Sequence, residues 1–145
     1  MSVYQLTSDS AIDDPIKQKW QRLLDIVADI MCIPVALIMR RHPHDLEVLT
    51  KSSNPENIYE LGERAELGTG LYCETVMESR KELLVPNALK DPKWANNPDI
   101  AKSMISYMGY PIEWPNGEIY GKICVIASNE RTYPDTHQKL LGQFA

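Results

Sequence analysis

The sequence is short of the features that mark most specialised classes. Its three cysteines, Cys32, Cys73 and Cys124, are odd in number and far apart, which excludes a disulfide framework and a Cys-x-x-Cys metal motif. All three stand beside apolar residues, as reduced and buried thiols do. Apolar runs stay well below the ~18 residues that a membrane span needs, so no membrane insertion is expected of this segment. Net charge is −5 without a Lys/Arg stripe, so the electrostatic footprint of a nucleic-acid or anionic-membrane partner is missing. The first ten residues have neither the basic start nor the apolar centre of a secretory signal, and a cytoplasmic location is expected. There is no internal repeat and no low-complexity segment.

Catalytic patterns are equally scarce. Gly68-Thr69-Gly70 lacks the spacing and the preceding strand of a dinucleotide fingerprint, and no Walker-type phosphate loop occurs. There is no Ser-His-Asp order and no carboxylate pair in a setting that raises a pKa. His42 and His44 flank Pro43 in a turn, but no third ligand lies nearby, so a solvated hairpin tip is expected rather than a metal site. His137 sits in a terminal helix without an acid or nucleophile partner. No catalytic residue and no metal site are therefore expected, and nothing specifies a cofactor.

What the chain does have is one domain's worth of core: 145 residues, 43% apolar and 24% charged. Its strongest element is a hairpin. Two runs rich in β-branched and aromatic residues, about 103–113 and 118–128, flank Asn116-Gly117, a pair that tolerates the positive φ of a tight turn. Pro115 ends the first strand. Residues 1–12 are polar and aperiodic, a flexible N-terminal arm, and a single domain is expected over 13–145. Asp14-Pro15 opens a helix of about 15–32, with Ile16, Trp20, Leu23, Leu24, Val27, Ala28 and Met31 as one apolar stripe. Val35–Met39 and Leu46–Thr50 are strands around a polar turn at 40–45, and Ser52 to Gly62 is a loop region. Tyr72, Val76 and Met77 suit a helix of about two turns, Leu83–Val85 a short strand with Pro86 at an edge, and 91–99 a long loop. Asp135 starts a last helix that reaches Ala145 without a terminator, as in a fragment of a longer protein. The expected class is α+β: a central antiparallel sheet of five to six strands, terminal helices on one face and a helix-and-loop flap on the other.

Five segments in this order carry a resemblance: Gly68–Val76, Leu84-Val85-Pro86-Asn87-Ala88, Asp91-Pro92-Lys93-Trp94 with Asn97-Pro98, Ile105–Ile112, and Gly117 with Gly121–Ile126. Together they resemble the GAF domain family, in particular the sensor GAF domains of bacterial histidine kinases and diguanylate cyclases. The resemblance implies a regulatory, non-catalytic module of a two-component or related signalling protein, which binds a small molecule or forms a homodimer through its terminal helices and controls a covalently linked output domain. It brings two alternatives: a ligand-free dimerisation module, and a GAF-type free methionine sulfoxide reductase using Cys73. Cyclic-nucleotide binding is not implied, since the family's Asn-Lys-Phe-Asp-Glu motif is missing. A covalent bilin is not implied either, since loop 91–99 has no cysteine.

The ligand-binding candidates are Tyr72, Cys73, Val76, Trp94, Tyr107 and Tyr110, which bring aromatic surface with polar tips to the flap. The alternative for the same residues is plain core filling. Strand alternation puts Tyr107 and Tyr110 on opposite faces, so both line one pocket only if Gly109-Tyr110-Pro111 holds a bulge; Tyr107 is favoured. Cys73, near a helix start, is either a reactive thiol or a small buried hydrophobe.

Overall fold

A computed structural model describes residues 14–66, 72–91, 94, 104–113 and 115–142; the side chains of Asp14 and Cys73 lie outside the described set. The expected arm at 1–12, the Gly68–Gly70 segment and most of loop 91–99 fall outside it too. The elements are α1 (Asp14–Met31), β1 (Val35–Arg41), β2 (Asp45–Lys51), β3 (Arg64–Glu66), α2 (Tyr72–Ser79), β4 (Leu83–Val85), a 3-10 turn at Ala88–Lys90, β5 (Ser106–Glu113), β6 (Ile119–Ala127) and α3 (Asp135–Gly142). Six strands form one antiparallel sheet in the order β3-β2-β1-β6-β5-β4.

The β5–β6 hairpin lies at the centre, and every residue of β6 is buried. Its turn has Gly117 at φ +90, and Asn116 Oδ1 accepts from the Glu118 amide at 3.0 Å. Arg80, at the end of α2, latches this tip by donating to Glu113 Oε2 at 2.6 Å and to the Gly117 carbonyl at 2.7 Å.

Alternation divides the core into two. On one face Leu24, Val27, Ala28 and Met31 of α1 and Leu141 of α3 pack on Ala36, Ile38, Met108, Ile123 and Val125. On the other, Tyr72, Val76 and Met77 of α2, with Ala88 and Trp94, pack on Leu37, Val85, Tyr107, Cys124 and Ile126. The sheet thus separates a helix side from a flap side.

Several expectations change. The stripe of α1 is split: Trp20, Leu24, Val27, Ala28 and Met31 meet the sheet side, whereas Ile16 is 42% exposed, beside Ile26 at 52% and Ile30 at 55%. Strands β1 and β2 run through the expected polar turn to Arg41 and from Asp45, because the His42 amide bonds the Asp45 carbonyl at 2.8 Å and closes a tighter loop. Strand β3 has no apolar pattern in Arg64-Ala65-Glu66 to announce it, and among the described residues it pairs with β2 alone. His42 Nε2 lies 2.7 Å from Glu47 Oε1, so at this hairpin tip the imidazole is engaged by a side-chain hydrogen bond to β2.

Candidate functional site

The flap side carries a compact aromatic group on a floor made by β5 and β6. Tyr107 points to this face and is fully buried. Its ring lies forward along its own strand over Gly109, so closely that a Cβ on Gly109 would sit 2.6 Å from Tyr107 Cε1 and Cζ. Only a glycine leaves that place open. Tyr72, at the start of α2, stacks on Tyr107 with ring centroids 4.7 Å apart and planes 24° apart. Trp94 adds a tilted contact to Tyr72 at 5.3 Å. The Tyr72 hydroxyl donates to the Met104 carbonyl at 3.2 Å, which ties α2 to the entry of β5. Each such ring pair adds about 0.5–1.5 kcal/mol beyond its buried area.

Beneath the rings lies a lysine. Lys122, in the middle of β6, has no exposed surface. Its Nζ lies 5.5 Å from the Tyr107 ring centroid and 2.6 Å from Cys124 Sγ. Alternation explains the placement: Lys122, Cys124 and Ile126 share one face of β6, and Ile123 and Val125 the other. A buried ammonium is expensive to desolvate, so an aromatic face and a sulfur within reach bear directly on how this lysine is kept.

Of the six candidates, Tyr72, Val76, Trp94 and Tyr107 meet in this one cluster. Cys73 belongs to α2, but its side chain lies outside the described residues. Tyr110 is a correction. Residues 109–111 pair with 124–122 in unbroken register, and the irregularity of β5 falls later, between Ile112 and Glu113. Alternation therefore holds, and Tyr110 packs on the helix side. There it lines an open groove of about 500 Å³ with Glu82, Asp135, Gln138 and Lys139. Burial, and then the Glu82 carboxylate, raise its phenol pKa. Sequence reasoning missed Lys122, although a lysine inside an otherwise apolar strand, two residues before a cysteine, was the signal to follow.

Among the described residues no group of three or more His, Cys, Asp or Glu side chains is placed to hold a metal ion. Nor is any described helix long and apolar enough to cross a membrane.

The geometry is matched by comparison with known proteins. Residues 16–145 match the GAF domain family. The chain belongs to that family. GAF domains are sensor and regulatory domains of signalling proteins. No curated protein matches the chain. Among solved structures, the GAF domain of an Acinetobacter phosphoenolpyruvate-protein phosphotransferase is similar, with TM-score 0.71 and 17% identity over 94% of this chain and 80% of that one. The GAF domain of a Bacillus halodurans two-component sensor histidine kinase has TM-score 0.63 and 11% identity over 85% and 86%. The free methionine-R-sulfoxide reductase of Neisseria meningitidis, solved with its substrate, has TM-score 0.70 and 10% identity over 88% and 72%. At these identities the likeness is one of fold, and this GAF domain's own site rests on its residues.

Proposed function

We propose that this GAF domain is a non-catalytic, cytoplasmic sensor module of a larger signalling protein, which binds a small molecule under its flap and pairs with a second copy through its terminal helices to control an output domain. The observation that carries the reading is the cluster of Tyr72, Trp94 and Tyr107 over the buried Lys122. It combines stacking faces with one buried amine, which suits a flat ligand that carries a hydrogen-bonding group. Tyr72 and Tyr107 are in contact, so an incoming ligand has to part α2 from β5. Parting them strains the tie from Tyr72 to Met104 and gives binding a mechanical output. Pairing is supported by the exposed row Ile16, Ile26 and Ile30 on α1, spaced for a helix–helix seam.

Native mass spectrometry of the protein purified from its own host tests both parts at once. A bound small molecule that disappears in Tyr107→Ala, on a dimer that becomes a monomer in Ile26→Lys/Ile30→Lys, is the expected result. A dimer that never carries a ligand and shows no thermal shift in metabolite screens would instead establish the ligand-free dimerisation module, which the stacked, fully buried rings also favour. The reductase alternative predicts turnover of free methionine sulfoxide that is lost in Cys73→Ser. Cys32 and Cys124 do not supply a cysteine pair for it, since Cys124 is buried on the flap side and Cys32 is exposed just past the end of α1.

A further inference from the structure

The contact between Lys122 and Cys124 is shorter than a hydrogen bond to sulfur should be. Nζ and Sγ are 2.6 Å apart, closer than the ~2.9 Å common for N–H···O bonds, although sulfur is much the larger atom. Residues i and i+2 of a strand point the same way but stand well apart, so the lysine must fold along β6 to reach the thiol. It is held there on every described side. Cys124 pairs with Gly109, Lys122 pairs with Met39 and Pro111, and the Tyr107 ring covers the space that Gly109 leaves. Neither side chain has any exposed surface. A neutral product is favoured in such a place, because burying an ammonium and a thiolate costs several kcal/mol each before their attraction is counted.

We propose that Lys122 and Cys124 form a reversible covalent bridge through one oxygen atom, Nζ–O–Sγ, when the protein meets hydrogen peroxide. The separation is already that of two atoms sharing an oxygen. In the first step the thiol attacks peroxide: the S–H and O–O bonds break, an S–O bond forms, and water leaves behind a sulfenic acid. In the second step the neutral Lys122 amine and the sulfenic acid react with a second peroxide. One N–H bond, the sulfenic O–H bond and the O–O bond of the second peroxide break, the N–O bond forms, and two waters leave. Sulfur and nitrogen each give up two electrons, and the two peroxides accept all four. Four equivalents of a monothiol return the amine, the thiol and one water, and become two disulfides. Peroxide is little larger than water and reaches buried thiols through local opening. The bridge would fix the floor on which Tyr107 lies, independently of whether a ligand binds above it.

The test is mass spectrometry of the whole chain before and after hydrogen peroxide, with tryptic mapping. In the bridged protein trypsin no longer cuts after Lys122, and the peptide spanning 103–131 is about 14 Da heavier than its unmodified form. Dithiothreitol removes the added mass and restores cleavage at Lys122. Oxidised Met104 and Met108 in the same peptide each add about 16 Da and survive dithiothreitol, which keeps the signals apart. Cys124→Ala abolishes the shift and retains cleavage. The wild-type measurement stands alone if that variant folds poorly. Exposed Cys32 is the internal control for peroxide action. The proposal falls if Cys32 is oxidised while 103–131 stays unchanged. It also falls if Cys124 carries oxygen with Lys122 still cleaved, or if the peptide is about 2 Da lighter, which is a direct N–S bond.

Discussion

Two glycines of the central strands look alike in sequence and differ in what they protect. A Cβ on Gly109 would meet the end of the Tyr107 side chain, which can swing away; a Cβ on Gly121 would run into the backbone carbonyl of Met39, which cannot. Gly109→Ala should therefore cost about 1–3 kcal/mol in urea unfolding and change the near-ultraviolet signal of the Tyr72–Tyr107 stack. Gly121→Ala should cost more, because it opens the β1–β6 pairing at Arg40. Tyr133 supports a prediction about pH. Burial is the main cause that pushes its phenol up to about 12 from 10.0, against the lowering effect of its bond to Ser106 at 3.2 Å. The folded state holds this proton more tightly than the unfolded one, so its stabilisation is complete below pH 10 and is lost as pH rises from 10 to 12. Tyr133→Phe should flatten the alkaline fall of stability in that window in a pH series of urea melts. Tyr120, also raised to about 12 by burial, should keep its own share. At this scale the sequence was legible wherever alternation alone decides: it separated Tyr107 from Tyr110 correctly. The bulge at 109–111 was unnecessary once Tyr110 had its own groove on the helix side.

Helix α1 shows which parts of an element can be read in advance. Asp14-Pro15 and the apolar periodicity announced its start and its buried face. The periodicity carries the helix to about residue 32, but it stops at Met31. Cys32 has φ +50, its amide bonds the Asp29 carbonyl at 3.2 Å, and the Ile33 amide bonds the Ala28 carbonyl at 3.0 Å. That is a Schellman stop, with Ile33 packed in the same cluster as Ala28 and a cysteine where glycine is usual. The signal was hidden because the residue in the left-handed conformation is the wrong type for it. Cys32→Gly should remove strain of about 1–2 kcal/mol and return part of it as unfolded-chain entropy. A net gain of about 0.5–1 kcal/mol and a rise of ~2–4 °C in Tm are expected by calorimetry. Strand β3 shows the opposite limit. Three residues, two of them charged, hold a strand only because β2 offers an edge, and no local pattern encodes that.

Across the molecule, the flap and the terminal helices lie on opposite faces of the sheet, so a sensor needs a tie around it. The segment after β6 provides one. The Arg131 amide donates to the Pro86 carbonyl at 3.1 Å, just past β4 and before the 3-10 turn whose Ala88 belongs to the flap core. The Arg131 guanidinium donates to the carbonyls of Met31 at 2.8 Å and Cys32 at 2.6 Å, at the stop of α1. One residue thus touches the link between β4 and the 3-10 turn and the end of the first helix, and Tyr133 and α3 follow directly. Beside it Lys90 and Glu130 form an ion pair at 3.2 Å, but both are well exposed, so it adds less than about 1 kcal/mol. None of this was legible in Glu130-Arg131-Thr132, because it depends on partners 40 to 100 residues away. Arg131→Met should cost about 1–3 kcal/mol, since it strips two helix carbonyls of a charged donor. Hydrogen exchange should then speed up together at the Cys32 and Ile33 amides and at the amides of Ala88 and Lys90. Glu130→Gln should leave both sets unchanged. Faster exchange at the end of α1 alone would show that the two faces open separately, and that a signal from the flap leaves the domain by another route.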